Sequence, residues 1–421
     1  MSLDCVNPNS SCLGDGLTYM TLRFTLPLLG AGWLMLAATT PACAGGFAQG
    51  SADTDILFAD EAFAVRSSVT VVSPTRRYKR NPNNPALEGT DYAATYEIPS
   101  VAVKVTLTDH VLCAGTYVKA LGGRAEYDSP KNAAHPTPIA PGVANAGKID
   151  EEFGIYEMGL TCAVAYDIGP GRAYLLGGGF REKFSYDRHD ILMAQGQQKV
   201  PDGTAIGDAR LAFDDEQYGY RFGAAYAIPE IAFRAALIYR SGTSYDPEGE
   251  LEIETPNGVS LLDAYGSGEL PQSVELTLQS GIAEGWMAYG AVKWTDWSVV
   301  EQFVAQSYWS ADVPGPGSIN DYFWRDGWTL TGGIAHDFDK RTSALLALTW
   351  DRGVATGYDH ASESWTLSSG AAYDCPWGGR LSAGGALSYI AASEETKYDD
   401  FNTKVDAGWA YALYAGYRVA W

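Results

Sequence analysis

From Val405 to the terminal Trp421 the chain alternates with period two. The odd positions read Val405, Ala407, Trp409, Tyr411, Leu413, Ala415, Tyr417, Val419 and Trp421. The even positions are Asp406, Gly408, Ala410, Ala412, Tyr414, Gly416, Arg418 and Ala420, mostly small or polar. Period two sends successive side chains to opposite faces of a strand. An apolar face held through nine odd positions outruns the usual soluble strand of about five or six residues.

The same template recurs along the chain and gives fourteen segments, near 62–78, 96–107, 111–122, 152–168, 172–186, 215–228, 231–244, 270–283, 286–306, 321–337, 341–352, 362–374, 380–392 and 405–421. Tight turns at Thr108–His110, Gly169–Gly171, Pro229–Glu230, Glu284–Gly285, Asp339–Lys340 and Cys375–Gly379 alternate with long polar stretches such as 123–151, 187–214 and 245–269. Short turns at one end and long loops at the other mark an outer-membrane barrel. Hydrocarbon leaves no partner for a bare N–H or C=O, so strands can cross it only as a closed cylinder. The sequence therefore predicts an all-β fold, a transmembrane up-and-down antiparallel β-barrel of fourteen strands. Trp286, Trp294, Trp324, Trp328, Trp409 and Trp421 fall toward strand ends, where interfacial girdles belong. A periplasmic sandwich or propeller is the competing reading, and blade-length repeats are absent.

Composition narrows the function. The formal charge is −22 with only 19% charged residues, so no basic surplus exists for nucleic acid. Five histidines (His110, His135, His189, His336, His360) lie too far apart for metal-like spacing. Six cysteines are too few for a disulfide scaffold. Cys113 and Cys162 fall in neighbouring strands, where a disulfide depends on register, and Cys375 sits in a tight turn. No G-x-S-x-G elbow or phosphate loop occurs: Gly177–Gly179 lies inside a strand with no helix after it. No catalytic residue, cofactor or metal is expected.

The longest apolar run, Phe24–Ala38, follows Arg23 and precedes Ala42-Cys43-Ala44. It suits a signal-peptide h-region, with cleavage between Ala44 and Gly45, better than a spanning helix. Met20 stands where such a leader begins, which makes 1–19 an over-extended start. Acylation at Cys43 is the rival reading, and Pro41-Ala42 fits it poorly. The segment 45–61 would then precede the barrel as a hatch.

Leu270-Pro271, Lys293-Trp294-Thr295-Asp296-Trp297-Ser298 and Phe323-Trp324-Arg325-Asp326-Gly327-Trp328, followed by an aromatic-terminated last strand, resemble the FadL/TodX (OMPP1) family of outer-membrane transporters. That resemblance implies a fourteen-stranded barrel with an N-terminal hatch, passively taking up long-chain fatty acids or other hydrophobic compounds. The family's Asn-Pro-Ala hatch element is missing from 45–61. Asn84-Pro85-Ala86 comes after the first strand, as a turn in an external loop. The resemblance also implies assembly through the terminal Trp421 by the barrel assembly machinery.

On 172–186, Arg181 and Lys183 share the parity of Gly177 and Gly179, opposite Phe180 and Phe184. A lipid-facing Arg or Lys costs roughly 2–4 kcal/mol at the midplane, so both are expected to face inward. Arg325 is placed on the lumen face with Thr329 and Thr331. The resemblance implies that Arg181 and Arg325, with Lys183, hold a ligand carboxylate; ordinary salt bridges are the alternative. Gly122 and Gly123 could permit the inward kink that opens such barrels laterally. Loop carboxylates such as Asp214-Asp215-Glu216 suit a solvated surface bridged by divalent ions to lipopolysaccharide. A polar-solute porin and, behind it, a barrel-embedded lipid hydrolase are the other readings of the same sequence.

Overall fold

A computed structural model describes residues 45–421 except 197–199, 311–312 and 399. The leader expected over 1–44 lies outside the described residues. Fourteen antiparallel strands close into one barrel. They are β1 (Phe63–Pro74), β2 (Tyr96–Thr108), β3 (Val111–Glu126), β4 (Val143–Ile168), β5 (Gly171–Ala194) and β6 (Ala205–Ile228). β7 runs as Phe233–Arg240, Thr243–Tyr245 and Glu248–Thr255, and β8 as Gly258–Leu270 and Ser273–Ala283. β9 is Trp286–Thr295 and Gln302–Ser310, and β10 is Val313–Asp321 and Gly327–Asp337. β11 (Thr342–Asp351), β12 (Ser364–Asp374), β13 (Arg380–Ile390) and β14 (Gly408–Ala420) complete the wall. Closure comes from β1 and β14, paired from Ala64↔Ala420 to Pro74↔Ala410.

Each expected segment corresponds to one strand, because period two survives wherever one face meets lipid and the other the lumen. On β14, Leu413 is 72% exposed and the next residue, Tyr414, only 7%. Three of the expected long loops are largely strand instead. The ladder between β4, β5 and β6 continues well beyond the apolar band, giving strands of 24–26 residues beside β11–β14 at 10–13. Above the membrane the outer face meets water, so charge moves onto it. Glu248, Glu250 and Glu254 are exposed while Leu251 and Ile253 are buried. That exchange removes the apolar signal without breaking the alternation.

Cys113 and Cys162 stand directly opposite each other in the β3–β4 register and are bonded, with Cα atoms 4.0 Å apart. Cys375 is a free thiol in the β12–β13 turn. Asn84 caps a short 3₁₀ turn in the β1–β2 loop, and its Nδ2 donates to the Pro130 carbonyl at 2.7 Å. Inside the wall, Arg221 binds Glu157, and Arg240 bridges Glu157 and Glu182. Thr243 and Tyr245 donate to the second oxygen of Glu182, both at 2.8 Å. Four neighbouring strands are tied by this knot of buried charges.

Residues 45–61 run along the inner face. Ile56 and Leu57 are fully buried in a cluster with the inward alanines Ala64, Ala102, Ala114, Ala163, Ala165 and Ala225. Arg66 donates twice to Asp53, at 2.8 and 2.7 Å, and Lys104 Nζ donates to the Glu61 carbonyl at 2.8 Å.

Candidate functional site

Strand β3 bulges at Ala120: its register against β4 shifts between Lys119 and Leu121. All five residues from Val118 to Gly122 are buried, so the strand bends into the lumen there. Its pairing with β2 stops at Ser100↔Val118 and resumes only near Ala93↔Ala125. Among the described residues, Glu97–Pro99 pair with β1 alone, and Pro99 has no N–H to offer. The wall therefore has a gap between β2 and β3. From inside, Gln49 N and Gly50 N donate to the Ala120 carbonyl at 2.9 and 3.1 Å, and Gly122 N donates to the Phe47 carbonyl at 2.9 Å. Gly122 thus closes the buried bend and Gly123 follows it. A Cβ on Gly122 would meet the Gln49 side chain at 2.9 Å, and one on Gly123 would meet Phe153 at 2.8 Å.

The segment 46–50 borders two cavities. Below it, a space of about 210 Å³ is lined by hydroxyls (Ser68, Thr70, Ser100, Thr277, Thr329, Thr349) and by Glu275, Lys293 and Asp351. Above it, a space of about 370 Å³ reaches the external loops and adjoins the gap through Tyr96 and Gly122–Ala125. Its floor is an aromatic box. The Phe47 ring lies 4.5 Å from Phe153, 4.7 Å from Trp324 and 5.3 Å from Tyr322. Gly46, at φ +63°, leaves no room for a Cβ, which would meet Trp324 at 2.8 Å. Phe184, Tyr186, Tyr245 and Phe303 continue the lining.

External loops carry the polar rim. Arg76 Nη1 donates to the Ala391 carbonyl at 2.9 Å, and Nη2 donates to the His360 carbonyl at 3.0 Å and Ser393 Oγ at 3.1 Å. Lys131 pairs with Asp400 at 2.8 Å, and Lys148 pairs with Glu151. The Lys131 charge holds the Asp400 carboxyl below its usual range. Asp359, in the loop between β11 and β12, accepts from Trp324 Nε1 at 2.7 Å. Burial pushes its carboxyl up to about 7 against the hydrogen bonds from Trp324 and Ala361.

The structure does not bring Arg181, Lys183 and Arg325 together, and none lines either cavity. Arg181 and Lys183 face outward. Arg181 Nε donates to Glu216 at 2.9 Å, and Lys183 lies 3.9 Å from Asp214. Their expected inward orientation is corrected by depth: Arg181 stands beside Met158 and Tyr218 at the top of the apolar band. There the cost of an outward charge falls to about 0–1 kcal/mol. Arg325 is exposed, with Nε 3.4 Å from the Gly353 carbonyl. Parity fails for it because 322–326 is not a strand and Phe323 adopts φ +42°. Trp324, expected in a girdle, is 5% exposed and faces the cavity for the same reason. The site residues that the sequence did not single out are Phe47, Arg76, His360 and Glu395. Phe47, His360 and Glu395 were visible only as aromatic or charged residues outside the alternating segments, and Arg76 as a charge at the end of the first one.

The profile of the outer membrane protein transport protein family (OMPP1/FadL/TodX) matches residues 65–344. A long-chain fatty acid transport protein of Salmonella typhi is 24% identical over 226 residues, 45% of this chain. The chain spans about half the length of that curated relative, 51%. Among solved structures, a Pseudomonas aeruginosa FadL homologue superposes with a TM-score of 0.67 at 14% identity, covering 90% of this chain and 97% of its own. The Ralstonia pickettii toluene transporter TbuX gives 0.59 at 12%, covering 86% and 90%. The Pseudomonas putida toluene transporter TodX gives 0.56 at 13%, covering 91% and 96%. With a closed fourteen-strand barrel and a family match over most of its wall, this chain belongs to the OMPP1/FadL/TodX family of outer-membrane transport proteins.

Proposed function

We propose that the protein takes up hydrophobic compounds passively across the outer membrane, binding them in the upper cavity and releasing them sideways through the gap between β2 and β3. The observation that carries this reading is the adjacency of an aromatic cavity to an unpaired stretch of wall. An apolar ligand gains roughly 0.8 kcal/mol per buried methylene against those rings. The lower cavity offers hydroxyls and charges instead, so continuing straight down would forfeit that gain. Long-chain fatty acids are the first compounds to try, since the Salmonella typhi relative is named for their transport. Residues 45–61 serve as the hatch, behind a leader cleaved before Gly45. Arg181, Lys183 and Arg325, first expected to hold a ligand carboxylate, line neither cavity, and contact with the head group falls to the residues at the rim of the upper one. Trp421 is the residue offered to the assembly machinery, and outer-wall carboxylates meet lipopolysaccharide through divalent ions.

Calorimetric titration of detergent-purified protein with a hydrophobic ligand tests the reading. Trp324→Ala should lower affinity by about 2 kcal/mol, roughly thirtyfold, with heat-modifiable folding retained. Unchanged affinity would remove the upper cavity from the pathway.

A further inference from the structure

Resting on that reading, the rim of the upper cavity specifies which head group enters. All its cations but Lys397 are already committed. Arg76 spends both terminal nitrogens on loop acceptors, and Arg124, Lys131 and Lys148 each lie against a carboxylate. Lys397 lies exposed over the Tyr358 ring, 4.8 Å from its centre. One buried acceptor, by contrast, is left over. Glu395 lines the cavity at 4% exposure, with Oε1 3.0 Å from His360 Nε2. Its second oxygen, Oε2, is buried and has no hydrogen-bond partner among the described residues. Asp359 and Asp400 stand on the same rim.

We propose that this cavity selects hydrophobic compounds bearing a neutral hydroxyl, an aliphatic alcohol or a phenol, whose O–H donates to the Glu395 carboxylate as Oε2 turns toward the cavity on binding. An ionised ligand carboxylate has only acceptors. At this rim it finds no uncommitted buried cation among the described residues and meets the Glu395 carboxylate instead. A buried acceptor left bare costs its desolvation, so a ligand that supplies the missing proton gains over an equally apolar one that does not.

Displacement of Nile red from detergent-purified protein at pH 8 tests the assignment, with dodecan-1-ol, 4-hexylphenol, dodecanoate and dodecane as competitors. At least one hydroxyl compound should displace the dye at about tenfold lower concentration than dodecanoate or dodecane. Comparing the two tells alcohol from phenol. In Glu395→Gln the hydroxyl ligands should weaken and dodecanoate strengthen, bringing them within about threefold. Dodecanoate binding as tightly as the better hydroxyl compound, or a ratio untouched in Glu395→Gln, overturns the assignment while leaving uptake intact. Displacement by none of the four overturns the uptake reading as well. If Glu395→Gln fails to give a heat-modifiable barrel, the ranking on the unmodified protein decides.

Discussion

Asp359 shows what one buried carboxyl does at the mouth of a barrel. Its folded value near 7 lies above the ordinary 3.8, because burial outweighs the hydrogen bonds from Trp324 and Ala361. Between about pH 4 and 7 the folded chain keeps a proton that the unfolded chain has lost, so stability declines as pH rises through that window and levels off above it. Asp359→Asn keeps an acceptor for the indole and abolishes the titration. Its unfolding midpoint, read from heat-modifiable mobility, should match the unmodified protein near pH 4 and exceed it at pH 8, by on the order of 1–4 kcal/mol. A difference independent of pH would place the proton elsewhere.

At the scale of strands, the bend in β3 depends on room for the segment 46–50. Gly122→Val should push the Gln49 side chain aside, detach that segment and join the two cavities, which planar-bilayer recordings would register as raised conductance. An unchanged conductance would mean that the segment is not the partition. The strands themselves were legible in the sequence because a wall between lipid and lumen enforces alternation from Phe63 to Ala420. The site was not. It is built where alternation lapses: Trp297 follows Asp296 out of β9, Trp324 sits between the halves of β10, and Glu395 and His360 lie on external loops. Parity also carries no depth. It separated Arg181 from Phe180 correctly but could not tell that Arg181 sits at the rim, where outward is the inexpensive direction.

Across the whole molecule, the wall is uneven: β4–β6 rise far above β11–β14, and the gap lies at the step between the short β2 and the tall β4. The Cys113–Cys162 bond fastens the foot of β3 to that taller side. Closing a segment of 49 residues, it restricts the unfolded chain by about 4 kcal/mol. The Cys113→Ser/Cys162→Ser double variant should still fold to a heat-modifiable barrel, since the β3–β4 ladder remains, but with a lower unfolding midpoint. Loss of the barrel altogether would make the bond a requirement for assembly rather than a brace. The breach beside β3 has one more consequence. An opening in a cylinder immersed in oil leaves bare amides at its lips, and lipid has nothing to give them. Here the leading residues answer the Ala120 carbonyl and the Gly122 amide from within. Doorway and tether are therefore one device: a descendant that lost the tether would have to seal the doorway.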